Sequence, residues 1–175
     1  MRTHHITLTS WEVLMNLLTP ANALAVEVML YTGLRVGDVL ALPSTVLGSG
    51  RSVKSPARFT VKESKTGKSR SVYLPAKLRL ALLAQCGDIY VFPGARDPCK
   101  HRTRQAVWCD IKRAAKAMRI PLNVGAHSAR KSYACDLYEH GKSLDSIQKK
   151  LNHDNIETTI LYLLDEFDKT RIPSR

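Results

Sequence analysis

The chain has 175 residues and 44% of them are hydrophobic, which is enough for a continuous core and argues against disorder. Lysine and arginine number 27 against 15 aspartate and glutamate residues, so the formal net charge is +12 and an acidic partner, nucleic acid first, is expected. The most apolar run, ALAVEVMLY, is interrupted by Glu27 and is too short to cross a bilayer, so no membrane contact is expected.

Apolar residues recur at helical spacing along most of the chain. They predict helices over residues 10–18, 20–33, 36–42, 75–87, 101–118, 127–139 and 144–151, followed by one that begins at Asn155 and contains Tyr162. A capping box formed by Thr9 and Glu12 opens the first helix, and Gly33 ends the second because glycine adopts the left-handed conformation without strain. Ser143 and Asn155 are the predicted caps of the last two helices.

Two short alternating runs lie between these helices. RFTVKE and RSVYLP flank the segment SKTGKS, a pattern typical of a β-hairpin, with Lys65 and Lys68 at its tip. Residues 44–56 are predicted to be a loop, and IYVFPG a brief extended segment. We therefore expect a single domain over residues 1–175, mainly α with a small antiparallel β-sheet (α+β).

The feature that indicates function is a set of polar residues in a fixed order: Arg35, His127, Arg130, His153 and Tyr162. Attack on a phosphodiester is opposed by its negative nonbridging oxygens, and guanidinium groups offset that charge with forked donors. Arg35 and Arg130 are the predicted clamp, which acts through preorganised electrostatics. A tyrosine hydroxyl has an ordinary pKa of about 10, so Tyr162 needs a base, predicted to be His127, or a cationic pocket.

The leaving 5′ oxygen of such a reaction needs a proton, and Lys65 on the hairpin is the predicted acid, although Lys62 and Lys68 are close in sequence. Residues 51–70 carry a single acid, Glu63, among many cations, and residues 96–119 are also rich in lysine and arginine. A generic basic protein would use such segments as a solvated face, whereas here they are predicted to contact DNA phosphates. The predicted DNA-binding side chains are Lys62, Lys68, Arg70, Arg104, Lys112 and Lys131.

The cysteines do not predict a metal site. Cys86, Cys99, Cys109 and Cys135 lack CxxC spacing, and no signal peptide precedes them, so neither a zinc site nor a disulfide framework is expected. A reducing cytoplasm fits this pattern best.

In combination, these motifs resemble the catalytic domain of the tyrosine recombinases, the phage integrase family. TGLRVGDVLAL is similar to the first arginine box of that family, with Arg35 as its arginine and Asp38 as the acidic residue that supports it. SKTGKSRSVYLP is similar to the hairpin that carries the catalytic lysine, which here is Lys65.

The second half of the resemblance lies near the C-terminus. HSARKSYA is similar to the HxxR box and contributes His127 and Arg130. LNHDNIETTILYL is similar to the final box, in which the nucleophile Tyr162 follows His153 by 162 − 153 = 9 positions.

The chain departs from the family pattern in a few places. Asn152 stands where the family usually has glycine before the histidine, and Ala129 replaces the more usual leucine within HxxR. Neither substitution touches a charged role, and both are expected to alter local packing. Family members normally carry an N-terminal DNA-clamping domain, the core-binding domain, before a segment resembling HHITLTS. That domain is not expected within residues 1–175, so the chain is either an excised domain or a naturally short relative.

The resemblance implies a site-specific DNA recombinase or integrase. Its members cleave DNA through a 3′-phosphotyrosyl intermediate and need no metal, ATP or other cofactor. The implied partners are double-stranded DNA and further copies of the chain, as a homotetramer on synapsed DNA, with the segment after Tyr162 docked on a neighbouring copy. The implied location is the cytoplasm of a bacterium, for a bacterial or phage-encoded protein that associates with the nucleoid.

Two other functions remain open from the sequence. A type IB topoisomerase-like enzyme would use the same chemistry to relax DNA without exchanging partners. A noncatalytic DNA-binding regulatory module would keep the basic surface but is expected to have lost part of the polar set, which is intact here. Taken singly, each polar residue also has a structural explanation: His153 could be a core histidine, and Tyr162 sits in an apolar pattern typical of core positions.

Overall fold

The structure, a computed structural model, describes residues 3–48 and 55–167, with side chains described up to residue 164. The α-helices in this part of the chain are α1 Leu8–Met15, α2 Pro20–Thr32, α3 Val36–Leu40, α4 Ala76–Gln85, α5 Arg104–Ala117, α6 Ala126–Glu139, α7 Leu144–Leu151 and α8 Ile156–Phe167. Strands β1 Ala57–Lys62 and β2 Ser69–Leu74 pair antiparallel. The prediction of a mainly helical fold with one small antiparallel sheet is therefore confirmed.

The predicted hairpin is present and its register is fixed. Lys62 pairs with Ser69, so residues 63–68 form the turn that closes it. Inside the turn, the Glu63 amide donates to the Lys68 carbonyl at 2.9 Å, and the Gly67 amide donates to the Glu63 carbonyl at 2.9 Å. Lys65 and Lys68 consequently lie at the tip, as expected.

Several helix ends differ from the sequence prediction. Helix α1 begins at Leu8 because Thr7, not Thr9, is its N-cap and accepts a hydrogen bond from the Ser10 amide at 3.2 Å. Helix α5 begins at Arg104, three residues later than predicted, because Thr103 caps it and His101 is held in a β-bridge with Pro93. The cap predicted at Ser143 is confirmed.

Three other predicted segments are the loop at 44–56, the extended segment at 89–94 and the segment after Tyr162. The predicted loop at 44–56 contains a 3-10 turn, Ser44–Leu47, and residues 49–54 lie outside the described residues. The extended segment at 89–94 makes isolated bridges only. The segment after Tyr162 that was expected to dock on a neighbour lies largely outside the described side chains.

The hydrophobic core falls into two clusters. The larger one brings together α1 to α5, the hairpin and the start of α6, with Trp11, Met29 and Phe92 almost fully buried. The smaller one joins α6, α7 and α8. The Trp11 indole N–H donates to Ser132 Oγ at 2.9 Å, which ties α1 to α6 where the clusters meet.

Gly33 explains how the chain turns from α2 toward Arg35. It ends α2 with φ 65°, as predicted, and a Cβ at this position would lie 2.4 Å from Cδ1 of Tyr133. Glycine is therefore required here both by backbone conformation and by the close approach of α6. Across the described ranges, no helix is long and apolar enough to cross a membrane.

Candidate active site

An open pocket of about 290 Å³ forms where the end of α2, the start of α3, the hairpin tip and the N-termini of α5 and α6 meet. Its polar lining consists mainly of side chains predicted to act on DNA, namely Arg35, Lys65, Arg104, His127 and Arg130. These residues are separated by up to 95 positions in sequence (130 − 35 = 95), and only the tertiary fold brings them together.

Tyr162 lies beside this pocket on α8 of the same chain. Its hydroxyl is 2.6 Å from Nε2 of His127, and the two rings meet edge to face with centroids 5.2 Å apart. Helix α8 packs on α6 and α7, so the tyrosine is delivered by its own chain. The predicted nucleophile and its predicted base are thus in hydrogen-bond contact.

His153 packs against the other side of Tyr162. The two ring centroids are 4.9 Å apart, and His153 Nδ1 is 3.0 Å from the Thr159 hydroxyl on the same helix as the tyrosine. Its backbone is held by Gln148, whose carbonyl accepts from the His153 amide at 3.2 Å. His153 therefore fixes the start of α8 as well as the position of the phenol.

Arg130 is fully buried. Its guanidinium donates to the carbonyls of Gly33 at 2.6 Å and Leu151 at 2.5 Å, so it links the ends of α2 and α7. Its Nε is buried without a hydrogen-bond acceptor in the described part of the chain. A buried donor without an acceptor costs free energy.

Arg35 is paired with an acidic residue of the hairpin. Its guanidinium donates to Oε2 of Glu63, a side chain with no exposed surface, and Oε1 of Glu63 lies 3.4 Å from Nε of Arg70. Arg70 also donates to the backbone carbonyls of Thr32 and Lys150. A carboxylate thus lies between two guanidiniums just behind the pocket.

Asp38 is held at a different place from the one expected. Its Oδ1 accepts hydrogen bonds from the Ser64 amide at 2.9 Å and the Ser64 hydroxyl at 2.7 Å. The acid that contacts Arg35 is Glu63, and Asp38 supports the hairpin one residue before Lys65. Lys65 itself is exposed and lines the pocket.

Burial, together with the surrounding positive charge, shifts the pKa values of the titratable groups at the pocket. Although His127 is partly exposed, burial, followed by the charges of Arg130 and Lys131, lowers its pKa to about 4. Burial and then Arg130 likewise lower the pKa of His153 to about 4. Both imidazoles are therefore neutral at pH 7, and His127 can accept a proton.

Arg130, which would hold a phosphate, is protonated at neutral pH, and so is Tyr162, which would attack it. Burial, then Arg35, lowers the pKa of Arg130 to about 10, so it stays charged at neutral pH. Burial raises the pKa of Tyr162 above its ordinary value, although Arg130 and Arg35 act in the opposite direction. The phenol therefore keeps its proton in the free protein and needs a base to become a nucleophile.

The predicted DNA-binding side chains divide into two groups. Lys62, Lys68 and Arg104 are exposed, and Lys68 pairs with Asp154 next to His153. The others lie partly or wholly inside the protein. Lys112 contacts Asn123, Arg70 holds carbonyl groups, and the buried Lys131 lies 5.7 Å from the ring centroid of Tyr162.

Glu63 is the site residue that sequence reasoning missed. It was visible as the single acid within a cationic segment, residues 51–70, and an isolated acid among cations is a signal for an ion pair. Which arginine it contacts could not be read from the sequence, because Arg35 is 28 positions away.

The departures from the family pattern have structural explanations. Asn152 ends α7 with φ 53°, a left-handed conformation that glycine and asparagine both adopt readily. Ala129 is fully buried in the larger core cluster, where a small apolar side chain fits. No group of three or more potential metal ligands is found among the residues that the structure describes.

Comparison with known proteins identifies the family. Residues 9–168 match the phage integrase family, and the chain belongs to it. It is 32% identical over 148 residues to a tyrosine recombinase XerD of Ralstonia nicotianae, covering 78% of this chain and 46% of that protein. It is 30% identical over 144 residues to a tyrosine recombinase of Thermosipho africanus, covering 79% and 48%. The chain therefore spans about half the length of the curated relatives it matches.

Solved structures agree on the fold. A lambda integrase dimer bound to a COC′ core site superimposes with a TM-score of 0.72 at 20% identity, covering 100% of this chain and 51% of that one. XerH recombinase bound to its difH substrate gives a TM-score of 0.71 at 20% identity, covering 98% and 55%. The curated relatives are named tyrosine recombinases.

Proposed function

We propose that this chain is the catalytic domain of a site-specific DNA recombinase that cleaves and rejoins DNA through a 3′-phosphotyrosyl intermediate. The observation that carries the proposal is the 2.6 Å contact between the Tyr162 hydroxyl and His127 Nε2 at the edge of a pocket lined by Arg35 and Arg130. Nucleophile, base and anion-binding groups are already within reach of one phosphate-sized space.

In the first step, the phosphate enters the pocket and its nonbridging oxygens bind Arg35 and Arg130. The buried Nε of Arg130, which has no acceptor in the described part of the chain, supports this role. The guanidiniums stabilise the charge that accumulates on these oxygens in the pentacoordinate transition state. Because both arginines are held by other protein groups beforehand, little reorganisation is needed when the charge develops.

In the second step, Tyr162 attacks phosphorus and transfers its proton to Nε2 of His127. The bond from phosphorus to the 5′ oxygen breaks as the new bond to the phenol forms, and Lys65 protonates the departing oxygen. Rejoining reverses these transfers with the 5′ hydroxyl of a partner strand. The energy of the broken bond is retained in the phosphotyrosyl ester, so the exchange is balanced without a further reactant.

The partners are proposed from the same chemistry and from the relatives. Double-stranded DNA is supported by the net charge of +12 and by the DNA-bound state of the recombinases with this fold. A homotetramer on paired duplexes is supported by a lambda integrase tetramer bound to a Holliday junction, which has a TM-score of 0.72 to this chain. A protein that acts on chromosomal DNA in this way would work in the cytoplasm and associate with the nucleoid.

The test is capture of the covalent intermediate. The chain is incubated with a pool of nicked duplexes in which the sequence around the nick is randomised, because loss of the short cleaved fragment traps the adduct. We expect a protein–DNA adduct on a denaturing gel, attached at Tyr162 and absent for Tyr162→Phe. Sequencing the trapped DNA would also reveal the target site.

Two outcomes would contradict the proposal. Wild-type chain that binds the pool but forms no adduct would indicate a noncatalytic DNA-binding module. Adduct formation combined with relaxation of supercoiled plasmid, without any joined product between two duplexes, would indicate a topoisomerase-like enzyme. Tyr138→Phe, which changes an exposed tyrosine on α6, is the matched control and should behave as wild type.

A further inference from the structure

We infer that Glu63 is a positioning residue that holds the Arg35 guanidinium in its phosphate-binding orientation and couples it to the hairpin segment that carries Lys65. The inference rests on the proposed function, since Arg35 and Lys65 matter only if the pocket receives a phosphate. Glu63 itself has no exposed surface and would not touch DNA.

The first argument is the arrangement of charge. Arg35, Arg70 and Arg130 lie close enough to influence one another, and each would repel the other two. Glu63 contacts Arg35 through one carboxylate oxygen and lies 3.4 Å from Arg70 through the other. A single buried carboxylate thus offsets two of the three cations from behind, where it leaves the open side of the pocket positive.

The second argument is the connection to Lys65. Glu63 and Ser64 directly precede this lysine, and both are held by the segment around α3: Glu63 by Arg35 and Ser64 by Asp38. Arg70, at the other end of the turn, is fixed to the Thr32 carbonyl at 2.5 Å. Both ends of the turn are therefore held by contacts with α2 and the segment around α3. The position of Lys65 relative to the pocket depends on these contacts.

If Glu63 positions Arg35, a change at Glu63 should slow adduct formation without weakening DNA binding. Glu63→Gln keeps the size of the side chain but removes its charge, so Arg35 becomes free to adopt other orientations. DNA affinity should be unchanged or slightly higher, because the local positive charge increases. The rate of adduct formation should fall by about 10- to 100-fold, because a small misplacement of a transition-state contact is costly.

The experiment measures single-turnover adduct formation with the nicked duplex pool, together with DNA affinity for the same pool. Four proteins are compared, namely wild type, Glu63→Gln, Arg35→Ala and the double variant. If Glu63 acts through Arg35, Glu63→Gln slows the wild type but has little further effect once Arg35 is gone. Equal slowing in both backgrounds would overturn the inference.

A second measurement does not depend on catalysis. Arginine modification by phenylglyoxal is followed residue by residue with mass spectrometry in the absence of DNA. Arg35 should react faster in Glu63→Gln than in wild type, while the exposed Arg104 of the same molecules should not change. If wild type forms no adduct, the proposed function fails, whereas this comparison still tests the contact between Glu63 and Arg35.

Two further variants separate positioning from folding. Glu12→Gln makes the same charge change at an exposed site on α1 and should leave affinity, adduct formation and phenylglyoxal reactivity as in wild type. Glu63→Asp keeps the charge with a shorter reach and should recover part of the lost rate. If both Glu63 variants fail to fold, Glu63 is a structural residue and the inference is wrong.

Discussion

At the scale of single residues, the histidines beside Tyr162 show how burial and neighbouring cations set the protonation of the candidate site. Both are neutral at pH 7, since burial and neighbouring guanidiniums lower each pKa to about 4. His127 is then a competent acceptor for the phenol proton, while His153 contributes mainly by packing. Burial, together with the positive charge that would bind phosphate, therefore keeps the His127 imidazole unprotonated.

The lowered histidine pKa values also predict how stability depends on pH. In the unfolded chain a histidine takes up a proton near pH 6.5, whereas His153 in the folded protein does so only near pH 4. The unfolded state binds more protons between these values, so stability is full above pH 6.5 and declines as the pH falls toward 4. We expect His153→Asn to remove about 1–3 kcal/mol of this pH dependence.

Urea unfolding at pH 7 and pH 5 measures this difference. The matched control is His101→Asn, which makes the same substitution at an exposed histidine that does not line the candidate site. If His153→Asn and wild type lose the same free energy of unfolding between the two pH values, the neutral state assigned to His153 is wrong.

At the scale of secondary-structure elements, the turn between α2 and α3 sets the geometry of the site. Gly33 closes α2, its carbonyl accepts from Arg130, and Arg35 follows two residues later as the N-cap of α3. Tyr133 of α6 packs directly over this glycine. The end of α2, the position of the Arg130 guanidinium and the packing of Tyr133 thus all depend on Gly33.

A pair of glycine substitutions tests this dependence. Gly33 and Gly67 have nearly the same φ, 65° and 67°, but only Gly33 has neighbours where a Cβ would lie. Gly67→Ala should cost about 1–2 kcal/mol from the left-handed backbone alone. Gly33→Ala should cost about 2–5 kcal/mol, because the clash with Tyr133 adds an overpacking penalty.

The free energy of unfolding from denaturant titration gives both values. Both variants lose free energy of unfolding because of the left-handed backbone. The additional loss in Gly33→Ala therefore measures the cost of the clash with Tyr133 of α6. Equal losses would mean that Tyr133 moves aside at no cost, and the close packing of α6 on the turn would then not be what requires glycine.

How much the sequence could predict also differs by element. The hairpin, the end of α2 at Gly33 and the Ser143 cap were predictable because each depends on residues a few positions apart. The choice of Thr7 over Thr9 as a cap was not, since both threonines precede the same apolar pattern. Contacts between distant elements, such as Glu63 with Arg35, depend on tertiary packing that no local pattern encodes.

At the scale of the whole molecule, exposed cations lie both at the pocket and far from it. The pocket lies at the N-terminus of α6, a helix of 14 residues. Such a helix is about 21 Å long at a rise of 1.5 Å per residue. Arg104 lines the pocket, whereas Lys142 follows the far end of this helix and is exposed there. Arg104, on α5, thus lies near the N-terminal end of α6, and Lys142 lies beyond its C-terminal end.

This arrangement predicts how single charges affect DNA binding. Affinity for a random-sequence duplex is measured by fluorescence anisotropy over a range of salt concentrations, and the slope of log affinity against log salt reports the number of phosphate contacts. Arg104→Gln should weaken binding and reduce that slope by about 1, because one contact is lost. Lys142→Gln carries the same change in charge and should leave the slope unaltered. If both variants reduce the slope equally, DNA is attracted by the net charge of +12 rather than bound over the pocket.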